Sequence, residues 1–118
     1  MARRRLLLPL TVAALVVGAS LLPETGTPTA GGVPTDLLFH AAGGVLLVLA
    51  GAWALRRTDG RALLALVTGA ALLGGTVELA QGVVPGRHPS LLDFLADALG
   101  AVVGALVARY LTVASRGP

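Results

Sequence analysis

Apolar residues dominate four segments of the 118-residue chain, and short polar connections separate them. The segments run from about 6 to 22, 37 to 55, 62 to 84 and 91 to 111. A helix rises about 1.5 Å per residue, so each segment can cross a hydrocarbon core of roughly 30 Å, the first only just. Helices are expected because the backbone in lipid must satisfy its own hydrogen bonds. The pattern predicts an all-α integral membrane protein with a single membrane domain over residues 1–118.

The composition agrees with a membrane location. Hydrophobic residues make up 55% of the chain, charged residues only 13%, and the mean hydropathy is +0.84. A soluble domain of this size carries about a quarter charged residues. Aromatic residues are 3% of the chain and cysteine is absent, which excludes a stacking surface for nucleic acid, disulfides and thiolate metal sites. Membrane lipid is therefore the expected surrounding, and no nucleic-acid partner is expected.

The arginines give the segments a direction. Basic residues precede the first segment, occupy the second connection and follow the fourth segment, whereas residues 23–35 contain none. By the positive-inside rule, both termini are expected in the cytoplasm, and the first and third connections are expected outside. The short connections, rich in proline and glycine, favour antiparallel neighbours. We therefore predict an antiparallel four-helix transmembrane bundle.

The first segment has a second interpretation. Arg3, Arg4 and Arg5 followed by an apolar run and small residues are also typical of a signal peptide. An uncleaved signal-anchor helix is favoured because three further apolar segments follow; cleavage would leave three helices and an external amino terminus. Thr35 or Asp36 is expected to cap the second helix, and Ser90 the fourth.

Polar residues inside the apolar segments share one depth. Glu78 and Asp97 each lie about 9 Å along their helices from the predicted outer end, and His40 lies about 4.5 Å in. Ionised groups cost about 2.5–3.5 kcal/mol near a helix centre, and those that persist usually mark function. The shared depth predicts one ligand-binding site in the outer part of the bundle, formed by Asp36, His40, Glu78, Gln81, Arg87, Asp93 and Asp97.

Small residues continue the polar stripes along the same helix faces. At 100° per residue, Asp93 and Asp97 share a face of the fourth segment with two glycines. Polar and small residues share a face in the same way on the second and third segments. Small residues allow membrane helices to approach closely. The acids are therefore expected to point into the bundle, with packing contacts at Gly43, Gly74, Gly100 and Gly104.

Two motifs carry a family resemblance. One is Glu78-Leu-Ala-Gln81 followed by Val84-Pro-Gly-Arg87-His-Pro-Ser90-Leu-Leu-Asp93-Phe-Leu-Ala-Asp97-Ala-Leu-Gly100; the other is Asp36-Leu-Leu-Phe-His40. Over about 36–111 the chain resembles the VanZ-like family of small bacterial membrane proteins, with Leu37 where the family commonly has Lys and Asp97 where it commonly has Asn. The family is named for a member associated with resistance to the glycopeptide teicoplanin. The resemblance implies a membrane location, a helix bundle and an outward-facing polar cluster.

Three functions fit these residues. The leading hypothesis is recognition of a cell-envelope component, such as a lipid-linked precursor or another amphiphile, with Arg87 binding a phosphate or carboxylate. The second is a membrane enzyme that uses the three acids and His40 as acid and base, or as ligands of a divalent cation. The third is a structural protein that holds a partner. The leading hypothesis assigns no metal and no cofactor.

Overall fold

The computed structural model describes residues 2–23 and 29–117, which form four helices and one short hairpin. Helix α1 spans Ala2–Ser20, α2 spans Thr35–Leu55, α3 spans Gly60–Gln81 and α4 spans Leu91–Ala114. Strands β1, Thr29–Ala30, and β2, Val33–Pro34, pair antiparallel. The predicted helical class is confirmed. The middle of the predicted first connection, residues 24–28, lies outside the described residues.

The hairpin is a departure from the all-α prediction. Its turn is Gly31-Gly32, with φ of +60° and +80°. Positive φ at both central residues matches the twist of a two-residue hairpin and is easy for glycine. Strands of two residues are too short to produce an alternating pattern, so the sequence periodicity did not reveal them.

The helices alternate in direction, as the short connections predict. Val16 of α1 lies against Gly43 of α2, and α2 lies alongside α4 over its length. Ala41 contacts Gly100 while Val45 contacts Gly104, so α2 and α4 run parallel. Helix α3 runs antiparallel to both. The closest packing is between α2 and α4, two of the three helices that carry the polar stripes.

Three helices, α2, α3 and α4, are long and apolar enough to cross a membrane among the described residues. Helix α1 differs because Arg3, Arg4 and Arg5 lie within it. Its apolar part, Leu6 to Ser20, is about 22 Å long at about 1.5 Å per residue, shorter than a core of roughly 30 Å. The structure therefore supports a membrane location through three helices.

Large apolar side chains face outward and small ones face inward. The buried core consists mainly of alanine and valine, such as Val48, Ala70 and Ala101, with Leu63 as its largest member. Leucines such as Leu72 and Leu79 are mostly exposed. Lipid tolerates apolar exteriors, and close packing of small residues holds membrane helices together. This distribution suits a bilayer better than water.

Helix ends follow local sequence with one exception. Ser90 caps α4 by accepting a hydrogen bond from the Asp93 amide at 3.2 Å, as predicted. The N-cap of α2 is Pro34, so the prediction that Thr35 or Asp36 caps it is wrong. Strand β2 ends at Pro34, and that helix begins at the next residue. Asp59 caps α3, which begins two residues before the predicted boundary.

Candidate functional site

Four predicted site residues meet at one end of the bundle. His40 comes from α2, Glu78 from α3, and Asp93 and Asp97 from the start of α4. Their exposed fractions are 2%, 5%, 8% and 5%, respectively. We refer to these four residues as the polar cluster. Its members contact one another across three helices, so the cluster exists only when the bundle is assembled.

Asp97 fixes the orientation of the His40 ring. Both carboxylate oxygens of Asp97 lie 3.1 Å from His40 Nδ1. An ionised carboxylate only accepts hydrogen bonds, so Nδ1 carries the proton and donates it. In the neutral imidazole the other nitrogen, Nε2, then presents a lone pair. That nitrogen points away from Asp97 toward the remaining two acids.

His40 Nε2 faces Glu78 and Asp93 without touching either. It lies 3.6 Å from Glu78 Oε1 and 3.8 Å from Asp93 Oδ2, beyond normal hydrogen-bond length. Within the described part of the chain, His40 Nε2 and Glu78 Oε1 are both buried without a hydrogen-bond partner. We call this separation the His40–Glu78 gap. An imidazole lone pair and a carboxylate oxygen are both acceptors, so they cannot satisfy one another.

The turn before α4 holds two acids in place. The Ser90 amide donates to Glu78 Oε2 at 2.8 Å, while the Ser90 hydroxyl accepts from the Asp93 amide. One residue therefore anchors the end of α3 to the start of α4. Only one of the two Glu78 oxygens is used by this anchor. The other oxygen is the one that faces His40.

Asp36 and Arg87 form a pair beside the polar cluster. Arg87 donates through one guanidinium nitrogen to both Asp36 oxygens, at 2.8 and 3.0 Å, and through Nε to the Leu22 carbonyl at 3.0 Å. The Arg87 side chain is 10% exposed and that of Asp36 is 30% exposed. These bonds tie the third connection to α2 and to the residues that follow α1. Binding of a ligand phosphate by Arg87, as predicted from the sequence, would compete with these hydrogen bonds.

Gln81 connects the polar end of α3 to α1. Its side-chain amide donates to the Ser20 carbonyl at 2.8 Å, and both residues are about 1% exposed. Ser20 was not predicted as a site residue from the sequence. It is the first residue after Thr11 in α1 whose side chain can form a hydrogen bond, and this feature could have identified it. Ser20, His40 and Asp97 also line a cavity of about 10 Å³. That volume holds about one water molecule.

The predicted packing glycines lie at close helix contacts. A Cβ on Gly100 would clash with the Ala41 carbonyl oxygen, and one on Gly104 would lie 2.8 Å from the Val45 oxygen. A Cβ on Gly74 would lie 2.5 Å from Asp97 Oδ2, and Gly43 faces Val16 of α1. Gly44 and Gly51, not singled out from the sequence, lie equally close to α4 and to Leu66, respectively.

The opposite end of the bundle is basic. A cleft of about 990 Å³ lies there, and its polar lining includes Arg5, Arg56, Arg57, Arg109 and Arg116. Trp53 lines the same cleft. Hydrogen bonds from Arg57 hold the pKa of Asp59 below its usual value. Five arginines therefore line the end of the bundle opposite the polar cluster, with Asp59 among them.

Three cluster atoms are arranged as metal ligands could be. One ligand atom each from His40, Glu78 and Asp93 lies within 4.8 Å of the other two, and all three residues are buried. A nitrogen with two carboxylate oxygens is a donor set that suits divalent cations.

No known protein family, curated protein or solved structure matches the chain significantly. The VanZ-like resemblance of residues 36–111 therefore stays a prediction based on the motifs.

Proposed function

We propose that the chain is a VanZ-like protein of the cell membrane with four spans and cytoplasmic termini. Three apolar helices and the antiparallel packing of α1 on α2 support the spans. The arginines around the basic cleft support the orientation, because basic residues are retained on the cytoplasmic side. Arg3, Arg4 and Arg5 can extend from α1 to the inner interface, which lets its short apolar part cross the bilayer. The polar cluster then faces the outer leaflet.

We further propose that the polar cluster recognises the head of an envelope amphiphile, such as a lipid-linked precursor. The His40–Glu78 gap carries this proposal. A buried polar atom without a partner costs about 1–3 kcal/mol, and a purely structural network would satisfy its members. The gap instead leaves two acceptors that a group from outside the chain, either a hydrogen-bond donor or a cation, can satisfy.

The chemistry of the cluster restricts the head group. Three carboxylates surround one imidazole, and Arg87 is engaged by Asp36 and the Leu22 carbonyl. Such a site favours groups that donate hydrogen bonds, namely hydroxyls, amides and amines. Sugars and peptides of cell-wall precursors carry these groups. The proposed recognition by these side chains therefore involves the sugar or peptide and does not involve the lipid phosphate.

Photo-crosslinking in lipid nanodiscs tests this function. The probe is a polyprenyl-pyrophosphate-linked disaccharide with a photoreactive group, and polyprenyl pyrophosphate without sugar is the reference probe. We expect labelling by the sugar-bearing probe to exceed the reference and to fall at least tenfold in Glu78→Gln. Asp59→Asn, the same chemical change at the basic end, should label like the native chain. Equal labelling of the native protein and Glu78→Gln would refute the proposal.

A further inference from the structure

We infer that His40, Glu78 and Asp93 bind a divalent transition-metal ion, for which Zn²⁺ is the closest fit. Their ligand atoms lie within 4.8 Å of one another, at the centre of the buried polar cluster. Imidazole nitrogen favours zinc and its neighbours in the periodic table, and carboxylate oxygens complete the donor set. The second hypothesis drawn from the sequence offered His40 and the acids as ligands of a divalent cation, whereas the leading hypothesis assigned no metal.

The His40 ring is already oriented for a metal. Histidines that bind metals almost always donate their second ring N–H to a carboxylate or carbonyl, which fixes the tautomer. Asp97 provides this contact at Nδ1, at 3.1 Å. The lone pair of Nε2 is thereby directed at Glu78 and Asp93. A histidine that served only packing would not need a free nitrogen between two acids.

The distances are close to those of a bound ion. Zn²⁺ with ligands at about 2.0–2.1 Å in a tetrahedron separates the ligand atoms by about 3.3 Å. Nε2 lies 3.6 Å from Glu78 Oε1 and 3.8 Å from Asp93 Oδ2. The three ligand atoms lie within 4.8 Å of one another, so closing the triangle around an ion needs side-chain shifts of up to about 1.5 Å. Ser90 holds the other Glu78 oxygen, so Oε1 is available to the ion.

Charge gives an independent reason. Glu78 and Asp93 lie 3.6 and 3.8 Å from His40 Nε2, Asp97 is hydrogen-bonded to Nδ1, and each of the three acids is at most 8% exposed. Neighbouring buried carboxylates repel one another and lose hydration, so they are stable together only with a compensating cation. A divalent ion offsets two of the three charges. It also satisfies His40 Nε2 and Glu78 Oε1 simultaneously.

Such an ion deepens the proposed function. Three protein ligands leave the fourth position of zinc open for water or for an oxygen of a bound head group. The ion would thereby add a positive contact that the carboxylates cannot supply. This last step rests on the proposed function, whereas metal binding itself does not require an amphiphile.

Zinc titration of the purified full chain tests the inference. The protein in detergent is stripped with EDTA, freed of chelator and titrated with ZnCl₂, with MgCl₂ as the comparison. We expect one Zn²⁺ per chain by elemental analysis after gel filtration, with a higher midpoint of thermal unfolding. Mg²⁺ should produce neither change. Co²⁺ should give the visible absorption of a tetrahedral site in the native chain.

Matched variants identify the ligands. His40→Gln and Glu78→Gln should each weaken zinc binding at least tenfold, while His88→Gln, which removes the exposed second histidine, should leave it unchanged. Absence of stoichiometric zinc in the native chain, or equal binding by His40→Gln, would overturn the inference. Lipid labelling that persists in EDTA would keep the proposed function and reject a role of the ion in it. Zinc binding without lipid labelling would keep the metal site and reject the proposed function.

Discussion

Asp97 holds His40 through Nδ1, with both carboxylate oxygens 3.1 Å away. This contact joins α4 to α2 at the point where Gly44 and Gly100 bring the two backbones together. A single ring is thereby fixed, and its second nitrogen is turned toward Glu78. The chemistry of the polar cluster follows from this one orientation.

Asp97→Asn is expected to preserve the ring orientation, because the amide oxygen still accepts from Nδ1–H. Asp97→Leu removes the acceptor and should release the tautomer. Nitrogen NMR of ¹⁵N-histidine-labelled protein distinguishes the tautomers, and His88→Gln assigns the second signal. Retention of lipid labelling in Asp97→Asn, with its loss in Asp97→Leu, is the expected functional result. A protonated Nε2 in the native chain would contradict this account.

The Arg87–Asp36 pair is expected to stabilise the bundle. Arg87→Gln should lower the free energy of unfolding by about 1–3 kcal/mol, because it leaves a partly buried carboxylate and the Leu22 carbonyl without their donor. Adding Asp36→Asn should restore about half of the loss. Denaturation by SDS, followed by circular dichroism, measures both. Arg116→Gln, at an exposed position, serves as the control, and additive effects of the two changes would refute the coupling.

Alanine substitutions at two glycines should change the free energy of unfolding in opposite directions, because only one of the two lies at a close helix contact. Gly100→Ala should cost about 1–3 kcal/mol, since its Cβ would clash with the Ala41 carbonyl. Gly69 has open space around its Cβ position, so Gly69→Ala should stabilise α3 by about 0.5–1 kcal/mol. The same SDS unfolding measurement applies. Equal effects at both positions would show that α2 and α4 are not closely packed there.

Reporter fusions test the orientation of the helices. An alkaline phosphatase fusion after Gly60 should be inactive, as expected of a cytoplasmic position, whereas fusions after Gly32 or Gly86 should be active. The reason is the group of five arginines that lines the basic cleft at one end of the bundle. A green fluorescent protein series at the same positions provides the inverse control. The reversed pattern would move the polar cluster to the inner leaflet.

Much of the fold could be predicted from the sequence because lipid imposes strong constraints. Apolar segment length predicted all four helices, and Ser90 was identified as a cap from its position before an apolar run. Depth and helical periodicity grouped His40 with three acids, since both quantities are set by the regular geometry of a helix.

The remaining features depend on contacts between segments. The sequence could not assign Arg87 to Asp36 and Leu22, because an arginine in the connection between two helices has several partners within reach. Gly44 was missed since one residue of helix rotation separates the face toward α1 from the face toward α4. The His40–Glu78 gap is a distance across two helices, which helical periodicity within one segment does not determine.

The free energy of unfolding of Glu78→Gln in metal-free detergent tests the central claim, that the polar cluster is a binding site. Glutamine keeps an oxygen for the Ser90 amide, removes one buried charge and places an N–H opposite His40 Nε2. A site sacrifices stability for function, so the substitution should raise stability by about 1–3 kcal/mol. Arg116→Gln, which removes an exposed charge outside the cluster, should leave it unchanged. A loss of stability in Glu78→Gln would instead show that Glu78 holds the bundle together, and would contradict the account.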